Sequence, residues 1–454
     1  MSRRDATTRT GSIGIRPILH FTEFKRQSNL KQKAVVDTME MRQALKDVRI
    51  LDFTQLLQGP YATQMLGDLG ADIIKVERLH TGDIFRQMTF FNSWIGDGES
   101  PCFLAWNRNK RSIALDLKSP EGKEIVLRLA ADTDVVVENF RPGTLQRLGL
   151  SYADLAKINP RIIYCSATGW GKDGPYVTRP GQDLLVQGLS GVTFQTGRAG
   201  NGPVAVGTGL PDQLGALHIV YGVLAALYHR EKTGVGQEIQ VSLLSSTVAL
   251  QMQEFMTVLN LGRDFERPNS GIGHSGSSAP FGIYATQDGF ISIAMNPWPV
   301  LVEVLGAPEL IRYDDPQILF DRRDEIWQEL QSVISQKTTA AWLEIMLEHD
   351  LWVAEVKSQR DVPDDPQVRH LGLFTTMDHP RAGQIRTVNM PVQFSSTPGS
   401  IRRPPPLIGE HGREILQDLG YSENEIDDFL KTGVISIDYA KTTAQGDFAD
   451  YSNG

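Results

Sequence analysis

The sequence predicts an α/β protein whose large domain is a doubly wound parallel sheet and whose smaller second domain is α+β. Three observations predict this fold class. From Val48 onward, short apolar runs alternate with helical patterns, which is typical of a parallel sheet that helices cover on both faces. After Gly169 the chain turns to loops rich in glycine and proline. Its 454 residues also exceed the ~100–200 residues of one ordinary domain.

Five strands are predicted in the first part of the chain, each a short apolar run bounded by polar or turn-forming residues. They are Val48–Phe53, Ile73–Glu77, Ser112–Leu117, Asp134–Glu138 and Ile162–Ala167. In a Rossmann-like, doubly wound sheet of this kind, ligands bind beyond the carboxyl ends of the strands. The predicted ligand edge therefore comprises the loops that begin at Thr54, Arg78, Asn139 and Thr168.

Helices are predicted wherever apolar residues recur at helical spacing. The first begins after Gly59-Pro60, because proline suits the first turn of a helix. The others are predicted over about residues 120–131, 212–231 and 242–261, and helical patterns fill residues 318–349. A β-hairpin is predicted around Asp288-Gly289, which separates two short apolar runs.

These patterns also divide the chain. We predict a large ligand-binding domain over residues 41–265, a small domain over 275–375 and a return to the large domain over 383–435. The ends lack such patterns, so a disordered basic leader is predicted over 1–40 and a flexible tail over 438–454.

Composition excludes several classes of function. The 45 Lys and Arg against 54 Asp and Glu give a net charge of −9, which disfavours nucleic acid or an anionic membrane as partner. No apolar run approaches the ~20 residues of a membrane span. Two cysteines exclude a disulfide scaffold and a cysteine-rich zinc site. The nine histidines form no HExxH pair, so no metal is expected.

The basic leader leaves the location of the protein open. Residues 1–38 carry eight Lys or Arg and three acidic residues. Such a leader is either a mitochondrial transit peptide or an extension without stable structure. The lack of a convincing amphipathic helix favours the second interpretation, so the predicted location is the cytoplasm, with the mitochondrion as the alternative.

Asp212 is the first candidate for chemistry. It follows the flexible segment Gly207–Pro211 and begins a long apolar helical pattern. An Asp in this place is either the N-cap of the helix or a carboxylate that attacks an acyl group, and the spacing leaves both open. Gly271–Gly276 has the letters of a dinucleotide fingerprint, but it neither follows a strand nor opens a helix, so it predicts no nucleotide site.

A series of short motifs then follows one another in a fixed order. They are Leu51-Asp52-Phe53-Thr54, Gly59-Pro60, Gly67–Glu77, Asn109–Ser112, Val137–Gly143, Gly174-Pro175-Tyr176, Arg179-Pro180-Gly181 and Gly409-Glu410-His411. In this order they resemble the family III CoA-transferases, the CaiB–BaiF group. The resemblance covers about residues 45–435 and leaves out the basic leader and the last residues.

The resemblance implies an enzyme that moves coenzyme A (CoA) from an acyl-CoA to a free carboxylic acid. The family's nucleophile is an Asp at the start of a helix, which falls here on Asp212. Covalent catalysis through an aspartyl anhydride and an aspartyl-CoA thioester splits the exchange into easier steps. CoA enters as a substrate, and no permanently bound cofactor is implied. Members of the family form interlocked homodimers, which we therefore expect for this chain.

The resemblance also implies the residues that contact CoA and close the site. CoA carries phosphates and an adenine, which call for cationic donors and apolar walls. By motif position the CoA contacts are Arg78, Lys118, Asn139, Phe140, Arg147 and Leu148. A glycine-rich lid of some relatives corresponds to Gly276 and Ser277. Leu57 stands where relatives carry a Gln, and the neighbouring Gln55 or Gln58 is expected to substitute for it.

Two alternatives remain. The same family includes α-methylacyl-CoA racemases, which carry a His at the position of Gln182. Gln has no group that titrates near neutral pH, so Gln182 favours the transferase over the racemase. The other alternative is a protein that binds CoA without catalysis, for which an inert Asp212 would be the signature.

Overall fold

The computed structural model describes residues 43–437, so the predicted leader and tail both lie outside the described part. Its strands are β1 (Arg49–Asp52), β2 (Asp72–Glu77), β3 (Lys110–Leu115), β4 (Val135–Glu138), β5 (Ile163–Thr168), β6 (Glu238–Ser242), β7 (Gly282–Ala285), β8 (Phe290–Ile293), β9 (Val353–Glu355), β10 (Phe374–His379), β11 (Gly383–Val388) and β12 (Ile435–Ser436).

Helices alternate with the first six strands and dominate the rest of the chain. They are α1 (Gln58–Asp68), α2 (Pro101–Trp106), α3 (Pro120–Ala131), α4 (Thr144–Arg147), α5 (Tyr152–Ile158), α6 (Asp183–Ser190), α7 (Leu210–Thr233), α8 (Leu243–Leu250), α9 (Met252–Leu261), α10 (Trp298–Leu305), α11 (Pro316–Asp321), α12 (Arg323–Ile334), α13 (Thr339–Glu348), α14 (Pro366–His370), α15 (Gly412–Asp418) and α16 (Glu423–Thr432).

A seven-stranded sheet with the order β12-β3-β2-β1-β4-β5-β6 forms the centre of the molecule. β1 to β6 pair in parallel, and β12 adds an antiparallel edge beside β3. The predicted α/β class and mostly parallel sheet are confirmed. The strand order reverses between β1 and β4, and ligands of doubly wound sheets bind at such a switch point. The loops that follow these two strands are therefore where a ligand is expected.

The sheet buries two hydrophobic cores, one on each face, because successive side chains of a strand point to opposite faces. Leu51 packs on one face against side chains of α3, α15 and α16. Its neighbour Ile50 packs on the other face against α1 and α7. Each fully buried Leu or Ile side chain contributes about 1.5–3 kcal/mol. Cys165 lies in the second core and is fully buried.

Helix α7 lies across the second core. By length and composition alone it could cross a membrane, but Ala216, Ile219 and Val223 on one side are fully buried in the protein core. The helix ends at Gly234, whose φ of 77° places it in the left-handed region that suits glycine at a helix C-terminus. The helix therefore has the burial pattern of a core helix.

One predicted helix is interrupted. The pattern over residues 242–261 predicts a continuous helix, but the structure has α8 and α9, with a break at Gln251. The Gln251 side chain donates to the carbonyl oxygens of Ser190 and Thr247 at 3.0 and 3.1 Å. Burial of this side chain against α6 accompanies the change in backbone direction, which a helical pattern does not reveal.

A third core lies between the three-stranded antiparallel sheet β7-β8-β9 and helices α10 to α13. Tyr284, Ile326 and Trp342 are among its buried side chains. The predicted hairpin is confirmed, since β7 and β8 pair antiparallel on either side of Asp288-Gly289. The bounds of the large and small domains stay predictions.

The chain then returns to the central sheet. Hairpin β10-β11 packs Ala382 and Ile385 against Leu104 of α2. Further on, the Arg402 guanidinium donates to the carbonyl oxygens of Gly67 and Ala71 at 2.7 and 3.0 Å. A cation at the C-terminal end of a helix is stabilising, so Arg402 fixes the returning segment to the end of α1.

Candidate active site

The loop that follows β1, residues 54–57, lies at the switch point of the sheet. Its backbone is held by side chains from three neighbouring segments. Asp52 Oδ1 accepts from the Thr54 amide at 2.8 Å. The Asn139 side chain accepts from the Gln55 amide and donates to the Gln55 carbonyl oxygen, both at 2.8 Å. Asp83 Oδ1 accepts from the Leu56 amide at 3.0 Å.

These bonds hold the loop in an unfavourable conformation. Leu56 has a φ of 66°, a left-handed backbone conformation that costs a non-glycine residue of order 1–3 kcal/mol. Such a conformation persists only where the surroundings over-determine it. The clamped loop presents Leu57 and Gln58 toward the N-terminal end of α7, where Leu57 Cδ1 lies 3.2 Å from the place that a Cβ on Gly209 would take.

Beneath this loop lies a group of buried charges at the ends of β1, β2 and β3. Lys75 pairs with Asp83 at 2.9 Å and donates to the Thr54 carbonyl oxygen at 2.7 Å. Lys110 pairs with Asp52 at 3.0 Å. Burial raises the pKa of the Asp52 carboxyl, but Lys110 and Lys75 outweigh burial and hold that pKa at about 2. Asp52 is therefore ionised, and Lys75 supports the loop from below through the Thr54 carbonyl oxygen.

A cavity of about 530 Å³ opens at the carboxyl ends of β1 to β4. Five of the six residues that were predicted to contact CoA line it, and only Asn139 does not. They are Arg78, Lys118, Phe140, Arg147 and Leu148. The three cationic side chains are exposed, and the fold brings them to one cavity although 69 residues separate Arg78 from Arg147. These exposed cations and the apolar walls suit a polyanionic ligand with an aromatic or apolar part.

Asn139 is placed differently from its prediction. It follows β4 as expected, but its side-chain amide is occupied by the two hydrogen bonds to Gln55. It lines a second cavity, of about 120 Å³. Phe140 is a wall of both cavities, so the two spaces adjoin at this ring.

Asp212 lines the second cavity. Helix α7 begins at Leu210 with Gly209 as its N-cap. The N-cap interpretation of Asp212 is therefore wrong: Asp212 is the third residue of the helix, and its side chain is free for chemistry. The N-terminal end of a helix favours an anion.

The Asp212 carboxyl has an unusual pKa. Burial, and then the nearby Asp183 carboxylate, raise this pKa to about 7. Asp183 opens α6 and accepts from the Asp212 amide at 3.3 Å, while Gln187 donates to its other oxygen at 2.7 Å. A carboxylate with few bound waters is a stronger nucleophile than a solvated one. With a pKa of about 7, Asp212 stays largely ionised at slightly alkaline pH.

Gln58 is a second polar group in this cavity. It is 4% exposed, and its Nε2 has no hydrogen-bond partner among residues 43–437. This nitrogen lies 2.4 Å from the place that a Cβ on Gly215 would take. Gly215 is three residues after Asp212, so both lie on the same face of α7. The absence of a side chain at Gly215 thus leaves room for an unpaired amide donor one turn away from Asp212.

Gly276 and Ser277 line neither cavity. Their loop is fixed to its own surroundings, since the Gly276 amide donates to His274 Nδ1 at 2.9 Å and His274 Nε2 lies 3.0 Å from a Glu254 oxygen. Within this one chain, the structure does not bring the predicted lid to Asp212. No cluster of three or more His, Cys, Asp or Glu side chains within residues 43–437 could hold a metal ion.

Sequence reasoning named Asp212 and the residues around the larger cavity, but it missed the residues that hold the loop after β1. Lys75 lies inside the Gly67–Glu77 motif without an assigned role, and Asp83 belongs to no motif. Arg141 and Arg179 were quoted in motifs without a role, and both line the Asp212 cavity. The signal for these residues lies in contacts between segments far apart in the chain, which one sequence does not contain.

Comparison with known proteins identifies the family. Residues 45–412 match the profile of CoA-transferase family III. The chain is 39% identical over 400 residues to the succinyl-CoA:glutarate CoA-transferase of Mus musculus, which covers 86% of this chain and 90% of that protein. It is 32% identical to the formyl-CoA:oxalate CoA-transferase of Afipia carboxidovorans, over 87% of this chain and 98% of that protein.

Solved structures agree. A CaiB/BaiF family protein from Brucella suis superposes with a TM-score of 0.73 and 30% identity, covering 83% of this chain and all of that one. A protein from Mycobacterium tuberculosis superposes with a TM-score of 0.71 and 32% identity, over 82% of this chain and 99% of that one. On profile, sequence and fold together, the chain belongs to CoA-transferase family III, the CaiB/BaiF family, and is a CoA-transferase.

Proposed function

We propose that the protein transfers CoA from an acyl-CoA to a free carboxylic acid, with Asp212 as the nucleophile. The observation that carries this proposal is the junction at Phe140. On one side of the ring lies a large cavity edged by cations, which suits the nucleotide part of CoA. On the other lies a small cavity that contains the Asp212 carboxyl and suits an acyl group.

The proposed reaction is a series of acyl exchanges. An Asp212 oxygen attacks the thioester carbon, the C–S bond breaks, and CoA leaves as a thiolate from an acyl–aspartyl anhydride. The thiolate attacks the Asp212 carbonyl carbon, which releases the first acid as a carboxylate and leaves an aspartyl-CoA thioester. The acceptor carboxylate attacks that carbon and expels the thiolate. The thiolate then attacks the acceptor's acyl carbon, which forms the new acyl-CoA and frees the Asp212 carboxylate.

In each step of this cycle one anion, a carboxylate or a thiolate, attacks an acyl carbon and another such anion leaves it. No net proton is therefore taken up or released. The cycle needs no general base, which agrees with a cavity that no histidine lines and whose neighbouring acidic groups are the Asp212 and Asp183 carboxyls. It also needs protection from water, because anhydrides and thioesters hydrolyse. A cavity of about 120 Å³ leaves little space for water beside a bound acyl group.

Trapping tests the proposal directly. We expect an acyl-CoA incubated with the protein in hydroxylamine to convert Asp212 into its hydroxamate, because the nucleophile attacks activated carboxyls. Peptide mapping by mass spectrometry locates the adduct. A hydroxamate on another residue, or none at all in a preparation that binds CoA, would overturn the assignment of Asp212.

The pH dependence follows from the ionisation of Asp212. Its pKa is about 7, and only the ionised carboxylate attacks a thioester. We expect kcat/KM for the acyl-CoA to fall tenfold per pH unit below about pH 7 and to level off above it. Burial also raises the pKa of Glu138 to about 7, so a Glu138→Gln variant is the control. A profile that loses its inflection in this variant would assign the pKa to Glu138.

The CoA contacts are proposed from the same geometry. Arg78, Lys118 and Arg147 would bind the phosphates of CoA. Phe140 and Leu148 would pack against its apolar parts. Asn139 would act by holding the loop after β1. The predicted racemase alternative is disfavoured at Gln182, which lines the Asp212 cavity and cannot take up a proton near neutral pH.

The acid is proposed from the relatives. Their names contain succinyl, glutarate and oxalate, all of which derive from dicarboxylic acids, so we propose a short dicarboxylic acid as acceptor. The eight Lys and Arg among residues 1–38 keep a mitochondrial location as the alternative to the cytoplasm.

An interlocked homodimer is also proposed. Large apolar side chains are exposed on α6, α7 and α9, and α9 buries no residue within the chain. They include Leu184, Leu185, Leu189, Leu217, Tyr221, Tyr228, Met252, Met256, Leu259 and Leu261. Exposed apolar surface of this extent marks an interface. A monomer in sedimentation at micromolar concentration would contradict the dimer.

A further inference from the structure

The cavity beside Asp212 has a charge balance that acyl transfer alone does not require. Three charged residues line it, Asp212, Arg141 and Arg179. The other lining residues are neutral. Two arginines, both exposed, therefore border the cavity of about 120 Å³ that holds the single nucleophile.

Both guanidinium groups are available to a ligand. Within residues 43–437 neither Arg141 nor Arg179 forms an ion pair with an acidic side chain. Arg179 is held in place by an uncharged contact, since its guanidinium carbon lies 3.8 Å from the centre of the Tyr176 ring. Tyr176 in turn lies against Trp170, with 6.0 Å between ring centres, and Trp170 donates to the Pro180 carbonyl oxygen at 3.0 Å. Aromatic packing thus positions a cation without neutralising it.

The same cavity also contains a neutral donor. The buried amide of Gln58 has an Nε2 without a partner among residues 43–437, beside the face of α7 that carries Asp212. A buried donor without a partner is unfavourable, and a hydrogen bond to a ligand oxygen would remove that cost. Its place suits the carbonyl oxygen of an acyl group attached to Asp212, where negative charge develops during each attack.

We propose that this cavity is a binding site for a short dicarboxylic acyl group. Gln58 donates to the reacting carbonyl oxygen, and Arg179 and Arg141 bind the remote carboxylate. The inference rests on the proposed function, because it assigns the same small cavity to the acyl group. It goes further in naming the residues that make this enzyme select a dicarboxylic over a monocarboxylic acid.

Electrostatics explains why the second carboxylate would matter. An acceptor acid must bring its negative charge close to the Asp183 carboxylate, since Asp212 is by then a neutral thioester. A monocarboxylate has nothing to offset that repulsion. A remote carboxylate gains charge-assisted hydrogen bonds to guanidinium groups, each worth about 10- to 100-fold in binding.

The test compares acids of equal length. Formation of the Asp212 adduct is measured with succinyl-CoA and with butanoyl-CoA, and acceptor use is measured with glutarate and with pentanoate, from butanoyl-CoA as donor. We expect the protein to prefer the dicarboxylic member of each pair by about 10- to 100-fold in kcat/KM. In the double variant R141Q/R179Q this preference is lost, because the rates with the dicarboxylic members fall at least tenfold further than the rates with butanoyl-CoA and pentanoate.

Two further variants separate the ends of the site. Gln58→Met lowers the rate of adduct formation roughly 100-fold for both acyl-CoAs alike, because it removes a donor to the reacting oxygen. Arg360→Gln, an exposed arginine outside both cavities, leaves the preference unchanged. Thermal unfolding of each variant shows whether it is folded.

The outcomes distinguish this inference from the proposed function. If no acyl-CoA of either kind forms an adduct at Asp212, the proposed function fails. If adducts form without preference for the dicarboxylic member, or if R141Q/R179Q loses both members of a pair equally, the remote-carboxylate site is overturned and the transferase stands. A Gln58→Met variant with normal rates would overturn the role of the amide.

Discussion

Replacement of Asp212 by asparagine is expected to lower kcat for CoA transfer by roughly 10³- to 10⁶-fold, the range that follows removal of an enzyme's nucleophile. Asparagine keeps the size of the side chain but cannot form an anhydride. The cavity at Arg78 and Arg147 is unchanged, so CoA binding persists. Steady-state transfer rates and calorimetric titration with CoA measure the two effects separately.

The same variant is expected to be more stable than the natural protein at alkaline pH. The pKa of Asp212 is raised in the folded state from an ordinary value near 3.8 to about 7, so the folded state binds this proton more tightly than the unfolded state. The stability that the group contributes is therefore present below about pH 4 and is lost as the pH rises through 7. Asparagine carries no charge to bury. The free energy of unfolding in urea is measured at pH 5 and pH 8.

Asp173→Asn, on an exposed loop outside both cavities, is the matched control and is expected to keep full activity and pH dependence. Normal transfer by the Asp212→Asn variant would remove this residue from the mechanism. A loss of activity accompanied by loss of stability at pH 8 would mean that the Asp212 side chain supports the fold.

Replacement of Lys75 by methionine is expected to lower the free energy of unfolding by about 3–5 kcal/mol. Lys75 is fully buried, pairs with Asp83 and bonds the Thr54 carbonyl oxygen. Methionine fills a similar volume but leaves a buried carboxylate without its counterion. Burial opposes the charge on Lys75, but Asp83 and then Asp52 outweigh burial and raise its pKa, so the ammonium group is charged. Urea denaturation at pH 7.5 gives the stability.

The Lys75→Met substitution is also expected to lower the activity of the enzyme. Without Lys75 and an ordered Asp83, the left-handed conformation of Leu56 is no longer over-determined. We therefore expect kcat to fall in the folded Lys75→Met variant, because Gln58 follows this loop. Lys157→Met, at a side chain that is 77% exposed, is the control and is expected to change stability by less than about 0.5 kcal/mol. An equally small effect at Lys75 would show that the buried pair does not support the loop.

The sequence was enough to predict the parallel sheet, because strands buried on both faces are apolar throughout and helices between them show their period. The sequence was less informative about the two edge strands of the sheet. β6 (Glu238–Ser242) has polar residues at alternate positions, and β12 has two residues, so neither stands out from its surroundings. The break at Gln251 depends on a partner in α6 and has no local signature.

In the candidate site, too, the sequence located some residues correctly but did not reveal their surroundings. Resemblance to the family located Asp212 and the rim of the larger cavity, because motif order places those residues. It assigned Asn139 to CoA, whereas the structure gives its amide to the backbone of Gln55. The raised pKa of Asp212 could not be predicted either, since it depends on burial and on Asp183, which is 29 residues away. Local chemistry can be read from a chain, but the environment of a carboxyl depends on its folded neighbours.

The position of the Phe140 ring between the two cavities has a consequence for the order in which the acids and CoA enter and leave. A CoA thioester would occupy both spaces, anchored at one end by the cations around about 530 Å³ and at the other by its acyl group in about 120 Å³. Once that thioester is cleaved, the small acid is held at one end only, whereas CoA keeps its whole anchorage. In the proposed cycle the first acid leaves and the acceptor acid enters while CoA stays bound, and CoA leaves only as the new acyl-CoA.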